Sequence, residues 1–182
     1  IIGGGMAYTF FKAQGLEIGN SLLEDDKVNY ARDILAQGGD KIILPLDSMV
    51  SDTFDFKARK IGELKEVSSQ DMPAGWMGLD IGSQTIRSFG TILESAKTIV
   101  WNGPMGVFEI DETARGTYAI AKILADVTDR GATTVIGGGD SASAVNKAGV
   151  ADRVSHVSTG GGASLEFIEG KTLPGVAALT DI

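Results

Sequence analysis

The sequence predicts an α/β protein, a Rossmann-like three-layer sandwich in which helices flank a mostly parallel sheet. Three observations support this fold class. Short apolar or β-branched runs alternate with helical patterns along the chain. The triplet Gly-Gly-Gly follows such a run and precedes a helical pattern at three places, residues 3–5, 137–139 and 160–162. The 182 residues, 43% of them hydrophobic, are enough for one domain with a full core.

The first part of the chain contains two predicted helices. Residues 1–2 are expected to end a strand, and a helix follows from residue 6 to about residue 13. The spacing of Ser21 and Glu24 is that of a capping box, which predicts that a helix begins there. The apolar face and glycine stop of this helix are Val28, Ala31, Leu35 and Gly38-Gly39. A strand broken by Pro45 is expected over residues 41–46.

The remainder alternates helices and strands more regularly. An exposed antiparallel ribbon is predicted over residues 55–67 and a loop over residues 72–76. Asp111 is expected to cap a long helix that stops at Arg130-Gly131. The other predicted elements are a helix with the stripe Ile86, Phe89, Leu93 and Ala96, strands over 98–101, 132–136 and 153–157, and helices over 141–148 and 163–168. Because parallel strands end at one edge, we expect the glycine triplets and the loop of residues 102–104 there, where ligands bind in such folds.

The composition restricts the classes of partner and of chemistry. The net charge of −8 argues against duplex nucleic acid or an anionic membrane as the main partner. The absence of cysteine excludes disulfides, thiolate catalysis and zinc–thiolate sites, and it agrees with a cytoplasmic location. No apolar run approaches the ~18 residues of a membrane span. Any phosphate must therefore be held by backbone dipoles, by a metal ion, or by residues outside the chain.

The glycine triplets predict anion sites, because glycine leaves backbone N–H groups accessible at the positive end of a helix dipole. Asp140 follows the second triplet, and its carboxylate would repel a phosphate unless a cation such as Mg²⁺ lay between them. Asp140 is also a suitable helix N-cap, and spacing alone favours the cap, although the two roles are compatible. The third triplet, after Ser158 and Thr159, exceeds what an ordinary turn needs and favours a phosphate site.

Other candidate side chains have structural interpretations beside the functional ones. Glu109, just beyond the loop of residues 102–104, could accept hydrogen bonds from ribose hydroxyls, although a solvated acid near a helix start is commoner. The single histidine, His156, is expected to be structural, and Trp76 and Trp101 are expected in the core.

Spacing rejects one familiar motif and weakens another. Gly170-Lys171-Thr172 has the form of a P-loop end, but Leu165 stands where that motif requires glycine. Residues 137–142 fit the loose G-x-G-x-x-A form of the dinucleotide fingerprint, which leaves an NAD-type oxidoreductase domain as an alternative. Against it count the unscreened Asp140 and the lack of a clear acidic residue about 20 positions further on.

Five stretches together resemble the phosphoglycerate kinase family, specifically its C-terminal nucleotide-binding domain. They are IIGGGMAYTF (1–10), PAGWMGLDIG (73–82), VWNGPMGVFE (100–109), VIGGGDSA (135–142) and SHVSTGGGASLE (155–166). The resemblance runs in order over nearly the whole chain, and motifs of this length are far more specific than one glycine fingerprint. The resemblance implies that residues 1–182 are that domain without its first strands and helices.

The resemblance also implies a reaction and a set of site residues. The family transfers a phosphoryl group between 1,3-bisphosphoglycerate and ADP, giving 3-phosphoglycerate and Mg-ATP. Adenine is expected against Gly4, Gly5, Gly78, Leu79 and Val107, near Leu22 and Phe54, with Glu109 on the ribose. Asn102 and Pro104 are expected near the phosphates, Gly138 and Gly139 along the nucleotide, Asp140 at the Mg²⁺ with Ser141 beside it, and Gly160, Gly161 and Gly162 at the transferring phosphoryl group. In this context Glu109 and Asp140 are better interpreted as site residues.

The chain departs from the family's pattern in several places. Lysines before the IIGGG strand, the N-terminal domain with its phosphoglycerate pocket and catalytic arginine, and most of the C-terminal tail have no counterpart in it. Ser83 and Gln84 stand where the family often has proline and an acidic or polar residue. Because Ile1 falls inside a predicted strand, we expect a fragment that binds adenine nucleotide weakly, as a monomer, and does not turn over alone. A third hypothesis, motivated by the missing lysines, is a non-catalytic interaction module that kept the fold.

Overall fold

The computed structural model describes residues 1–158 and 160–179, and the chain forms two compact units. Unit 1 consists of residues 1–94 and 104–120, and unit 2 of residues 95–103 and 121–182. Within the described residues, no helix is long and apolar enough to cross a membrane.

The sheets of unit 1 are antiparallel, so the prediction of a mostly parallel sheet is wrong for this unit. β1 (Asp47–Ser51) lies between β4 (Leu64–Ser68) and β5 (Met77–Ile81) and pairs antiparallel with both. β2 (Phe54–Asp55) and β3 (Lys60–Ile61) form a separate antiparallel pair, which confirms the predicted ribbon. The chain between β1 and β5 contains no helix, whereas parallel pairing requires a long crossover that is usually helical.

The aromatic side chains of helix α1 (Met6–Ala13) are divided between two core clusters of unit 1. The other helices of this unit are α2 (Val28–Gly38), α3 (Ser83–Ser95, whose last residue belongs to unit 2) and the start of α4 (Arg115–Asp129). One core cluster contains Ala7, Tyr8, Phe11, Ile18, Val50 and Met72, and the other contains Phe10, Ala13 and Ala31. Trp76 is half-buried against the first cluster, which agrees with its predicted core position.

Unit 2 contains the parallel sheet that the sequence predicts. Its strands are β6 (Thr98–Asn102), β7 (Thr133–Gly137) and β8 (His156–Ser158), in the order β6-β7-β8. Its helices, besides the end of α4, are α5 (Gly139–Lys147), α6 (Gly161–Ile168) and α7 (Pro174–Ala177). Ile99 and Trp101 are buried while Val100 is exposed, the alternation expected of a strand with one buried face.

Three predicted helix starts are wrong, and in the first a tertiary contact takes the capping group. The Ser21 hydroxyl accepts a hydrogen bond from the Gly78 N–H at 2.9 Å, and α2 begins only after a 3-10 turn at Asp25–Lys27. Asp111 lies in a 3-10 turn, Asp111–Thr113, and α4 begins four residues after it. Asp140 is inside the first turn of α5, whose N-cap is Gly138.

The predicted strands of unit 1 are also displaced. Residues 1–2 and 42–46 belong to no strand, although the Ile2 N–H donates to the Ile43 carbonyl at 2.9 Å. The strand expected over 41–46 begins instead at Asp47, after Pro45. Neither β1 nor β5 was predicted over its observed residues.

Candidate functional site

Three strands of unit 2 end side by side at the edge where the glycine loops begin. In the register of the parallel sheet, Asn102 lies opposite Gly137, and Gly137 lies opposite Ser158. The Gly138 N–H donates to the Ser158 carbonyl at 3.0 Å, so the second loop stays tied to the third strand beyond the sheet. The second and third glycine loops and the loop after β6 therefore meet at one edge, as expected, whereas the first triplet, residues 3–5, follows no strand and belongs to unit 1. Thr159, which the sequence argument placed in the third loop, lies outside the described residues.

Two of the glycine loops approach each other so closely that side chains are excluded. A Cβ atom at Gly161 would lie 2.6 Å from the Cα atom of Gly138. A Cβ atom at Gly138, which has φ +91°, would lie 3.0 Å from the Asn102 Oδ1 atom. These glycines are required by packing between the loops, whatever ligand the loops bind.

Other glycines of the same loops face open space. A Cβ atom at Gly139 or Gly162 would meet no atom within 4 Å. α5 begins after Gly138 and α6 after Gly160, and neither helix has a side-chain hydrogen bond at its N-cap. The first N–H groups of both helices lack the intrahelical partners that later residues have, which is the arrangement that binds anions.

Two hydroxyl groups fix the loops without occupying their open side. The side chain of Ser141 is fully buried, and its Oγ atom accepts a hydrogen bond from the Gly103 N–H at 2.7 Å. The Ser164 Oγ atom donates to the Ser158 Oγ atom and to the Gly160 carbonyl, both at 3.2 Å. Ser141 therefore orders the loop after β6 rather than presenting its hydroxyl to a ligand. Ser164 was missed by the sequence argument, although it lies inside one of the quoted stretches.

Asp140 supplies an exposed carboxylate in the first turn of α5. Among the described residues no group of three or more acidic, histidine or cysteine side chains could hold a metal by itself. Mg²⁺ commonly uses only one or two protein carboxylates, with phosphate oxygens and waters as its other ligands. One free carboxylate beside open glycine loops therefore fits a magnesium ion that arrives with a phosphate ligand.

In unit 1, several of the residues expected to bind the nucleotide lie next to one another. A Cβ atom at Gly4 would lie 2.6 Å from the Pro104 carbonyl oxygen, and one at Gly5 would lie 2.7 Å from a methyl group of Leu22. Leu22 is 69% exposed, so its side chain is available to a ligand. The first glycine triplet is thus in contact with two of the other predicted residues.

The second part of this group lies along the first half of β5. The Val107 N–H donates to the Leu79 carbonyl at 2.8 Å. The Tyr8 ring and hydroxyl occupy the space where a side chain at Gly78 would stand. Glu109 is half-exposed two residues beyond Val107. The structure therefore joins Gly78, Leu79 and Val107, and it gives Glu109 a position from which its carboxylate can reach solvent.

Phe54 has no described contact with the other expected base residues. It lies in β2, opposite Ile61, and its ring makes an edge contact with the ring of Phe56, with 6.2 Å between the ring centroids. A cavity of about 620 Å³ in unit 1 is lined by other residues, among them Phe11, Leu35, Leu44 and Gln70. None of the predicted site residues lines this cavity.

Beneath the Val107 segment lies Asp80, a buried carboxylate to which the sequence argument gave no role. Its Oδ2 atom accepts from the Gly116 N–H at 2.6 Å and its Oδ1 atom from the Ile81 N–H at 2.9 Å. Burial raises the pKa of Asp80 to about 7, against the opposing effects of these hydrogen bonds and of Arg115. Burial also raises the pKa of the nearby Tyr8 to about 12.

The fold and this arrangement define an α/β protein with one sheet edge of the kind that can bind anions: glycine loops at the ends of parallel strands, two uncapped helix N-termini and one exposed carboxylate. The sequence profile of phosphoglycerate kinase matches residues 1–171. The chain therefore belongs to the phosphoglycerate kinase family, whose members are phosphotransferases. This membership supersedes the oxidoreductase alternative.

Individual relatives agree with the family profile. The chain is 53% identical over 181 residues to a phosphoglycerate kinase of Latilactobacillus sakei and 55% identical to one of Picosynechococcus, covering 100% of this chain and 43% and 44% of those proteins. It is similar in structure to the phosphoglycerate kinase of Coxiella burnetii, with a TM-score of 0.87 and 38% identity over 96% of this chain and 44% of that one. The chain thus spans less than half the length of these relatives.

Proposed function

We propose that this chain supplies the nucleotide-binding part of a phosphoglycerate kinase, corresponding to the family's C-terminal domain. The observation that supports this proposal most directly is the common edge of β6, β7 and β8. At this edge Gly139 and Gly162 face open space, and α5 and α6 begin without a side-chain cap. In this proposal the edge binds the phosphates of ADP or ATP, and Gly160, Gly161 and Gly162 face the transferring phosphoryl group. The reaction is phosphoryl transfer between 1,3-bisphosphoglycerate and ADP, giving 3-phosphoglycerate and ATP.

Asp140 is the proposed protein ligand of the magnesium ion. The bound ion would neutralise phosphate charge, and the Asp140 carboxylate would hold it at the start of α5. The base and ribose are assigned to the unit 1 residues Gly4, Gly5, Leu22, Phe54, Gly78, Leu79, Val107 and Glu109. Phe54 has the weakest support in that set, because it lacks a described contact with the others.

The remaining steps of the reaction are assigned to parts of the relatives that this chain does not span. Phosphoglycerate would be bound there, and the chain alone would bind nucleotide without turnover. We also propose a monomeric cytoplasmic protein without a nucleic-acid or membrane partner. A coupled assay with 1,3-bisphosphoglycerate and ADP is expected to show no turnover by the chain alone, and measurable turnover would overturn this part.

Calorimetry with Mg-ADP tests the proposed nucleotide site through a matched pair of aspartates. Asp140→Asn removes the proposed magnesium ligand, whereas Asp152→Asn removes an exposed carboxylate from the 3-10 turn Ala151–Arg153. We expect Asp140→Asn to weaken Mg-ADP binding about tenfold, since that binding uses the carboxylate. ADP binding in EDTA should not weaken, because without a cation the wild-type carboxylate repels the phosphates. Asp152→Asn should change neither.

Two results would contradict the proposal. One is the absence of Mg-ADP binding by the wild-type chain; the other is equal binding of Mg-ADP by wild type and Asp140→Asn.

A further inference from the structure

The segment of residues 104–109 carries three of the proposed nucleotide residues yet forms neither helix nor strand. It lies directly on β5: the Val107 N–H donates to the Leu79 carbonyl at 2.8 Å. A side chain at Gly106 would collide with the Asp80 carboxylate and with the backbone of β5. The shape of the segment therefore depends on what holds it against this strand.

Two buried side chains hold the segment from beneath and from its far end. The Thr113 hydroxyl, fully buried, donates to the Val107 carbonyl at 2.8 Å. Asp80 accepts the N–H of Gly116 at 2.6 Å, in the first turn of α4, the helix that follows the segment. Both backbone groups of Val107 are thus fixed, and the chain leaving the segment is fixed at Gly116.

Neither side chain can contact a ligand directly. Asp80 is 3% exposed and Thr113 is not exposed at all. Two titratable groups interact with Asp80 by charge. Arg115, on α4, acts to lower the pKa of Asp80, and Asp80 in turn acts to raise the pKa of Tyr8, on α1. Any effect of Asp80 or Thr113 on a ligand must therefore act through the backbone of the segment.

We propose that Asp80 and Thr113 are positioning residues, which hold residues 104–109 in the shape that receives the base and ribose of the nucleotide. This inference rests on the function proposed above. It separates base binding, which depends on the two buried side chains, from phosphate binding, which depends on the glycine loops of unit 2.

Two probes measured by NMR titration test this separation. Adenosine reports on the base and ribose end, and Mg-pyrophosphate reports on the phosphate end. Asp80→Asn leaves one acceptor oxygen for two backbone N–H groups, and Thr113→Val removes the hydroxyl at nearly constant volume. In each variant we expect adenosine and Mg-ADP to bind about fivefold or more weakly, because binding must then order the segment, with Mg-pyrophosphate unchanged.

The controls separate positioning from a general loss of stability. Thr113→Ser keeps the hydroxyl and should restore adenosine binding. Asp47→Asn alters the other buried aspartate of unit 1, at the start of α3, and should change neither probe. Amide exchange at Val107 should be faster in Asp80→Asn and Thr113→Val than in Asp47→Asn.

The outcomes are distinguishable. Folded Asp80→Asn and Thr113→Val that bind adenosine as tightly as wild type would overturn the inference, as would equal losses for adenosine and Mg-pyrophosphate. A wild-type chain that binds neither adenosine nor Mg-ADP would overturn the proposed function and this inference with it. If Asp80→Asn does not fold, the comparison of Thr113→Val with Thr113→Ser decides.

Discussion

Helices begin in different ways in the two units. In unit 1 a buried aspartate accepts N–H groups at the start of α3, and another does so at the start of α4; these are Asp47 and Asp80. In unit 2, α5 and α6 begin after Gly138 and Gly160 with no side-chain cap. The starts of α3 and α4 are thus satisfied by buried carboxylates, whereas α5 and α6, like α1 and α2 of unit 1, begin without a side-chain cap. Uncapped starts leave backbone N–H groups that can bind an anion.

The two aspartates differ in how well their charges are compensated. Burial acts to raise the pKa of Asp47, but hydrogen bonds from the Thr85 hydroxyl and from the N–H groups of Gln84 and Thr85 outweigh it, so the pKa lies below its ordinary value. Asp80 accepts only two backbone N–H groups, and burial dominates. A capping carboxylate therefore stabilises its helix at neutral pH only where enough donors surround it.

The largest expected effect is the dependence of stability on pH at Asp80. The pKa of Asp80 is raised from 3.8 to about 7, so between about pH 4 and pH 7 the folded chain binds more protons than the unfolded chain. The free energy of unfolding should therefore fall as pH rises, by on the order of 4 kcal/mol at 1.36 kcal/mol per pKa unit. Asp80→Asn removes this term, so its destabilisation relative to wild type should be larger at pH 5 than at pH 8.

Denaturant unfolding at the two pH values checks this prediction. Equal destabilisation by Asp80→Asn at pH 5 and pH 8 would show that burial does not control this carboxylate. Asp47 should behave in the opposite sense, since its contribution is present above about pH 4 and is lost as pH falls below that value.

The next effect is the loss of the better-compensated cap. Asp47→Asn removes one of the two acceptor oxygens that receive the Gln84 N–H at 2.8 Å and the Thr85 N–H at 2.8 Å. Because a buried donor is then left unpaired, the free energy of unfolding at pH 7 should fall by about 2 to 3 kcal/mol. Asp33→Asn, at an exposed position in α2, is the matched control and should change it by less than about 0.5 kcal/mol.

A smaller effect should distinguish the two kinds of glycine in unit 2. Gly161→Ala places a methyl group 2.6 Å from the Gly138 Cα atom and should lower the free energy of unfolding by about 2 kcal/mol. Gly162→Ala places it in open space and should leave stability unchanged, but it should weaken Mg-ADP binding by crowding the anion. Thermal melts with and without Mg-ADP measure both effects. Equal destabilisation by the two variants would contradict the division into packing and open glycines.

The common edge of β6, β7 and β8 could be predicted from sequence because one local pattern defines it. A β-branched run followed by consecutive glycines fixes where a strand ends, and parallel register then brings Asn102, Gly137 and Ser158 together. The base-end residues have no such pattern. The residues proposed for the base lie on separate loops and strands joined by contacts such as Ser21 with Gly78, so only the family resemblance suggests them.

Strand β1 of unit 1 escaped prediction because polar residues fill buried positions in it. Asp47, Ser48 and Ser51 of β1 are all buried. Asp47 is hydrogen-bonded to Thr85 and Ser48 to Tyr8, both distant in sequence, and Ser51 donates to the Thr53 carbonyl two residues further on. A run of Asp and Ser is typical of turns when only local chemistry is considered, and only the tertiary hydrogen bonds make it a strand.

The smallest effect concerns how unit 2 orders its loops while leaving its helix starts uncapped. The buried Ser141 hydroxyl accepts the Gly103 N–H at 2.7 Å, so it fixes a loop from within α5 without adding charge. Ser141→Ala leaves that N–H unpaired and should lower the free energy of unfolding by about 1 kcal/mol. Ser143→Ala, an exposed position on the same helix, should not lower it measurably in the same denaturant titration. If both substitutions were neutral, the loop after β6 would be held by the sheet alone, and the contrast with the carboxylate caps of unit 1 would reduce to the glycines.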